Sequence, residues 1–419
     1  MRESIHKEKP MRLKLLLGLI TLLLSHFSFA QEDANSSSCQ KPSDKNKLFW
    51  CLVKNKPEVK LQEIDIKVHE NAISEANQMP NPELEVESID NKAGGLTSEV
   101  TLKHTFELGG KRSSREQVAV AEKGISETQH LAELEEAARE FAINIYRLRQ
   151  LKTELELANE NLETFRNIQR QYKKLGRMNP EQSVSVSVFE IAEQETELKR
   201  EALIQEKKQI LSQFQAILGK GFSLNEELLP DLKSEWPTID VDEIRNSTHL
   251  NLNREVDLAV AKYGLAKSES WPNLSIGPKF EQTTGNINET TFGVALSMPL
   301  PILNLNGGGR AKASSELQKV ELQKKLISDR LEQYKNFLLN SYISSSAIVQ
   351  KSIKRANIQK RHKNLHTLLN RGVVNSALVI EMHREVFEFY EGLHEHELKA
   401  IDALWRLYAL KGTLRKEEI

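Results

Sequence analysis

The sequence predicts a mainly α-helical chain with a transmembrane β-barrel part, built as one unit repeated twice. Each unit is a short helix, a β-hairpin, a long helix and a medium helix. Three observations predict it. The 419 residues combine 28% charged side chains with only 6% aromatics, a composition of long helices rather than compact cores. Three punctuation points recur in the same order about 190–198 residues apart. The hydrophobic period switches from two to seven at matching places in the two halves.

The N-terminus is an address. Basic residues (Arg2, Lys7, Lys9, Arg12, Lys14) precede an apolar run from Leu15 to Leu24, and Ser28-Phe29-Ala30 closes it. That order reads as a secretory signal peptide over 1–30. The run is too short for a comfortable membrane span. Segment 1–30 holds five basic and two acidic residues, so the formal net charge of −1 becomes −4 without it. Neither value suits a nucleic-acid binder, which needs excess Lys and Arg on one face. Residues 31–60 read as an N-terminal loop segment. It holds Cys39 and Cys51, the two cysteines of the chain. A disulfide between them suits an oxidising compartment, but spacing alone does not decide it.

The repeat is read from co-linear matches. Pro82-Glu83-Leu84-Glu85-Val86 matches Pro272-Asn273-Leu274-Ser275-Ile276. Gly109-Gly110-Lys111-Arg112 matches Gly307-Gly308-Gly309-Arg310, and Leu175-Gly176-Arg177 matches Arg371-Gly372-Val373. The units are expected at 61–219 and 251–419, with a linker over 220–250. Each opens with a short helical pattern, 61–78 and 251–269.

Two hairpins follow, with strands over about 83–90, 97–108, 273–282 and 290–298. Val100, Leu102, His104, Phe106 and Leu108 alternate with Glu99, Thr101, Lys103, Thr105 and Glu107. Phe292, Val294, Leu296 and Met298 alternate with Thr291, Gly293, Ala295 and Ser297. One apolar and one polar face over 8–10 residues suits a small half-buried sheet, or a stave of a membrane barrel, whose strands need about 9–11 residues. Lipid cannot satisfy an open sheet edge, and about eight strands are the minimum for a closed barrel. Four strands per chain therefore require several copies. On that reading Glu99, Thr101, Lys103, Glu107, Lys279 and Glu281 face the lumen. Val100, Leu102, Phe106, Phe292, Val294 and Leu296 face lipid.

Gly109 and Gly110, with Gly307, Gly308 and Gly309, read as strand-to-helix hinges. Long helices are expected over 113–175 and 312–370. In the first, Leu134, Phe141, Leu148, Leu155 and Leu162 recur every seven residues, and Leu151, Ala158, Phe165 and Tyr172 form a second series. That is a coiled-coil-like seam, and 63 residues would reach roughly 95 Å. Medium helices follow to Leu218 and over 376–410.

Sites for chemistry are sparse. Gly109-Gly110-Lys111-Arg112-Ser113 echoes a phosphate-binding loop, but Thr105 stands where that motif needs its first glycine. His362 and His366, at i and i+4, share a helix face and are weak metal candidates. A solvated face is the plainer reading. His394-Glu395-His396 is not a zinc-protease motif. No catalytic residue and no cofactor is expected.

Taken together, Asn81-Pro82-Glu83-Leu84, Phe106-Glu107-Leu108-Gly109-Gly110-Lys111-Arg112 and Trp271-Pro272-Asn273-Leu274 resemble the TolC-type outer membrane factors, in their cobalt–zinc–cadmium (CzcC-like) branch. The resemblance implies a homotrimer with a 12-stranded barrel and an α-helical coiled-coil tunnel. It implies an outer-membrane exit duct, passive and not an enzyme, serving a periplasmic adaptor and an inner-membrane RND-type pump that exports heavy-metal cations. It makes Leu175, Gly176, Arg177, Arg371, Gly372 and Val373 adaptor contacts at the periplasmic tip. Two departures stand out. Cys39 follows Asn35-Ser36-Ser37-Ser38, without a lipid-attachment box. Val373-Val374-Asn375-Ser376 lacks the acids of a charged tunnel gate. The competing readings are a periplasmic coiled-coil adaptor or scaffold, and a duct for drugs or type I secretion.

Overall fold

The computed structural model describes residues 39, 41–91, 95–233, 235–285, 288–352, 364 and 376–419. Its elements run α1 (Lys45–Asn55), α2 (Pro57–Ala76), β1 (Glu83–Asn91), β2 (Gly95–Glu107), α3 (Lys111–Lys173), α4 (Pro180–Leu218), α5 (Ser247–Ser268), β3 (Asn273–Thr284), β4 (Glu289–Ser297), α6 (Gly307–Lys351) and α7 (Ser376–Lys411). The order short helix, two strands, long helix, further helix thus occurs twice.

The loop expected over 31–60 needs correction. Lys45–Asn55 is helical. Leu48, Phe49, Leu52 and Val53 fall on one face at i, i+1, i+4 and i+5, and all four are fully buried. Asp44 caps the helix, accepting from the Lys47 amide at 2.7 Å. The segment is short and rich in Lys and Asn, and Pro57 starts α2 two residues after α1 ends, so its pattern hid among turn-like residues. Cys39 and Cys51 are joined by a disulfide.

α3 is a single helix of 63 residues. No proline interrupts it, and its seam lies against partners along its whole length. α2 runs beside its first half, with Lys123 3.0 Å from Glu70 and Ser126 donating to Asp65 at 2.8 Å. α4 runs beside its second half, with Arg147 2.7 Å from Glu206 and Arg166 2.6 Å from Glu193. Two shorter helices thereby match one long one. α5 and α7 both pack on α3 and on α6. The main core sits midway, where Phe141, Leu148, Leu151, Phe214, Ile401 and Leu404 meet the buried face of α1.

α6 starts at Gly307, five residues earlier than expected, and ends at Lys351. Its expected continuation to Asn370 falls mostly outside the described residues, as do segment 1–30, His362, His366, Arg371, Gly372 and Val373. The expected linker 220–250 ends early, because α5 already starts at Ser247, and among its described residues before that point the one regular element is a 3-10 turn at Glu226–Leu228. It folds back on the body through Phe222, Val241 and Ile244, all buried. Among the described residues no helix is long and apolar enough to cross a membrane.

Candidate functional site

The four strands form one antiparallel sheet in the order β1-β2-β3-β4. The hairpins of the two halves are therefore joined side by side, through β2 and β3. Register sorts the side chains. Val86 stands opposite Val100, Val100 opposite Phe280, and Phe280 opposite Phe292. Leu102 pairs with Leu84, Phe106 with Leu274, and Leu296 with Ile276. One face is thus a continuous apolar surface. It includes Val100, Leu102, Phe106, Phe292, Val294 and Leu296, and all six are exposed. His104 lies on this face too, edge-on to Phe106 with ring centroids 4.9 Å apart.

Glu99, Thr101, Lys103, Glu107, Lys279 and Glu281 occupy the other face. Glu87, Glu99 and Glu281 stand in one row across β1, β2 and β3. Like charges in register oppose pairing, and two lysines relieve them. Lys279 Nζ is 2.6 Å from Glu99 and 3.5 Å from Glu281, and Lys103 pairs with Glu85. Hydroxyl pairs fill the rest, Thr97 with Thr283 at 3.2 Å and Thr105 with Ser275 at 2.9 Å. Glu107 closes the strand by accepting from Arg115 of α3 at 2.9 Å. On the central strands the polar face is the more sheltered one, with Thr101 2% exposed against 46% for Leu102, while β1 and most of β4 are exposed on both faces. A sheet folded for water alone would reverse that preference.

The two strand-to-helix junctions differ from one another. Gly109 and Gly110 both adopt left-handed backbone, with φ of 73° and 74°, which glycine reaches without a Cβ clash. In the second half Gly307, Gly308 and Gly309 are not the hinge. They are the first turn of α6, and the left-handed residue is Asn306, with φ of 53°. Asparagine tolerates that region better than most side chains, so the turn did not need glycine. Gly309 leaves room for Asn306, since a Cβ there would fall 2.2 Å from its Oδ1.

Leu175, Gly176 and Arg177 form the reversal between α3 and α4. Gly176 has φ of 64°, and Leu175 is exposed. Asn179 and Gln182 close a capping box on α4, with Pro180 at its first position.

A polar cluster deep in the helical body escaped the sequence reading. Arg147, Gln150 and Glu154 lie along one face of α3, and His394 and Glu397 come from α7. His394 Nδ1 is 2.5 Å from Glu154 Oε1, and Arg147 Nη1 is 2.8 Å from the same oxygen. Glu397 is fully buried. It pairs with Arg149 and accepts from Gln150 Nε2 at 2.7 Å and from the Lys233 amide at 3.4 Å. Burial pushes the Glu154 carboxyl up, and its bonds from His394 and Arg147 outweigh that and hold it below the usual range. The signal was present as polar residues at i, i+3 and i+7 beside the leucine seam. His396, two residues from His394, does not share in the cluster. Among the described residues no group of three or more His, Cys, Asp or Glu side chains is placed to hold a metal ion.

Solved structures share this architecture. A membrane protein from Pseudomonas aeruginosa superposes with a TM-score of 0.67 at 14% identity, covering 88% of this chain and 90% of its own. The CmeC outer membrane channel of Campylobacter jejuni gives 0.65 at 11% identity, over 93% and 91%. CusC, described for folding and transmembrane channel formation, gives 0.60 at 13%, over 88% and 92%. The fold is that of the TolC-type outer membrane factors. Among curated proteins, this chain is similar to the cobalt–zinc–cadmium resistance protein CzcC of Cupriavidus metallidurans. Identity is 26% over 298 residues, 69% of this chain and 68% of that one. No protein-family model matches the chain.

Proposed function

We propose that the chain is the outer-membrane exit duct of a tripartite efflux system, with its helices extending into the periplasm. The observation that carries this is the inverted sheet, with its apolar face exposed and, on the central strands β2 and β3, its charged face the more sheltered one. Among the described residues β1 and β4 each leave one edge unpaired, so a second copy can continue the sheet on either side. Three copies give a closed 12-stranded barrel, which removes every edge from lipid. Glu99, Thr101, Lys103, Glu107, Lys279 and Glu281 then line water, and Val100, Leu102, Phe106, Phe292, Val294 and Leu296 meet hydrocarbon. The two halves are read as a duplicated unit, 61–219 and 251–419. The helices α3, α4, α6 and α7 of three copies form the tunnel wall. The duct is a passive conduit rather than an enzyme.

Likeness to a cobalt–zinc–cadmium resistance protein favours heavy-metal cations as cargo, with an RND-type inner-membrane pump and a periplasmic adaptor as partners. Leu175, Gly176 and Arg177, with Arg371, Gly372 and Val373, are the proposed adaptor contacts, because a turn at the far end of a tube is what a partner meets first. The test is fractionation together with deletion. Recovery as a heat-sensitive trimer in the detergent-insoluble outer membrane supports the duct, and recovery as a soluble periplasmic monomer refutes it. A deletion strain sensitive to zinc, cobalt or cadmium, and not to dyes, supports the metal cargo.

A further inference from the structure

The two junctions between strand and long helix differ in length as well as in hinge. Leu108–Gly110, three residues, joins β2 to α3, whereas Met298–Asn306, nine residues, joins β4 to α6. Three residues suffice for the connection, so the second junction carries a surplus. The surplus is mostly apolar, with Asn304 and Asn306 its polar residues. Met298, Leu300, Ile302, Leu303 and Leu305 are all exposed, and Leu303 fully so. Pro299 and Pro301 stand between them. Each proline removes a backbone donor, and the Ile302 amide donates to the Leu300 carbonyl at 2.9 Å. The Asn306 amide donates to Asn304 Oδ1 at 2.8 Å, so two prolines and two paired amides reduce the donors this loop leaves to an apolar medium.

Trp271, at the start of β3, faces the same place and is 60% exposed. Between Trp271-Pro272 and the loop lies a cavity of about 730 Å³, with Lys111 and Glu269 among its lining residues. An exposed apolar patch of this kind marks an interaction surface. Two occupants compete for it, a second copy of the chain and membrane lipid. Continuity favours lipid. The loop leaves β4 after Ser297, one residue beyond Leu296, so its side chains extend the exposed apolar face at the strand end nearest the helices. Tryptophan beside leucine and isoleucine, with a lysine close by, is the composition of a membrane–water interface.

We propose that Met298–Leu305 and Trp271 form an interfacial anchor that sinks into the phospholipid of the periplasmic leaflet, just below the strands. The anchor rests on the outer-membrane reading given above. It holds the barrel at a fixed depth where the wall turns from strands to helices.

The test uses the assembled full-length protein in phosphatidylethanolamine–phosphatidylglycerol vesicles whose acyl chains are brominated close to the headgroup. Bromine quenches tryptophan on contact, and the chain holds four, Trp50, Trp236, Trp271 and Trp405. Bromolipid should quench the wild type, and Trp271→Phe should lose most of that quenching. Leu303→Glu should weaken quenching of Trp271 and shift its emission to the red while the heat-sensitive trimer survives. Equal quenching in wild type and Trp271→Phe overturns the proposal. So does an unquenched Trp271 with a Leu303→Cys variant that cross-links to a second copy, which would make the patch a subunit contact. Protein that does not float with vesicles at all sinks the duct reading as well. Protein that floats with Trp271 unquenched sinks the anchor alone.

Discussion

Trp271 occupies the space that a side chain at Gly109 would need. A Cβ on Gly109 would lie 2.4 Å from the indole Cδ1. The start of the second hairpin thus rests on the hinge of the first. Gly110, the next residue, has the same left-handed backbone but open space around it. Gly110→Ala should therefore cost only the backbone term, about 1 kcal/mol. Gly109→Ala should add overpacking of about 1–3 kcal/mol. Trimer dissociation temperatures in detergent would rank the two variants, and equal shifts would contradict the packing.

At the far end, the Cβ position of Gly176 is also open, so a large side chain there meets solvent rather than the protein. Gly176→Trp should leave outer-membrane insertion and trimer heat stability close to wild type. Efflux should be lost, read as metal sensitivity of the complemented deletion strain. Normal resistance in this variant would remove the Leu175–Arg177 turn from the proposed adaptor contact.

Glu397 pairs with Arg149 where neither has ready access to water. Removing one partner strands a buried charge, at a cost of about 3–5 kcal/mol. Arg149→Met should lower the dissociation temperature accordingly. The double variant Arg149→Met, Glu397→Met should recover part of the loss, because a buried ion pair is often replaceable by apolar side chains. Heat-modifiability gels of both variants provide the comparison.

Glu135 is set apart by its burial, which pushes its pKa up to about 7 despite hydrogen bonds from the Ser247 amide at 2.9 Å and hydroxyl at 2.6 Å. Folding thus favours the neutral carboxyl. That contribution is complete below about pH 4.5 and fades as the pH rises to about 7, amounting to roughly 3 kcal/mol. Glu135→Gln keeps an acceptor for Ser247 and cannot ionise. Its dissociation temperature should match the wild type near pH 5 and exceed it near pH 7.5. A constant difference across that range would contradict the assignment.

Much of this was legible from sequence because long, regular patterns are hard to mistake. The seven-residue seam from Leu134 to Leu162 marked α3, and the alternation around Val100 and Phe292 marked the sheet. Signals that depend on distant partners were not legible. α1 is short, and its helical face has meaning only against distant partners such as Trp405, whose ring centroid lies 4.8 Å from that of Phe49. Glu397 looks like any surface glutamate until Arg149, about 250 positions earlier, is folded against it. Asn306 took the role assigned to three glycines because a left-handed turn accepts asparagine as well.

The pairing of β2 with β3 has a kinetic consequence. Leu96 stands opposite Thr284, although α3, α4 and α5 all intervene in the chain. Contacts that close so long a loop form late. The first hairpin must therefore wait, with one strand edge bare, until about two thirds of the polypeptide has emerged. Until then it is open to wrong strand partners, and a periplasmic chaperone would have most to protect in that interval.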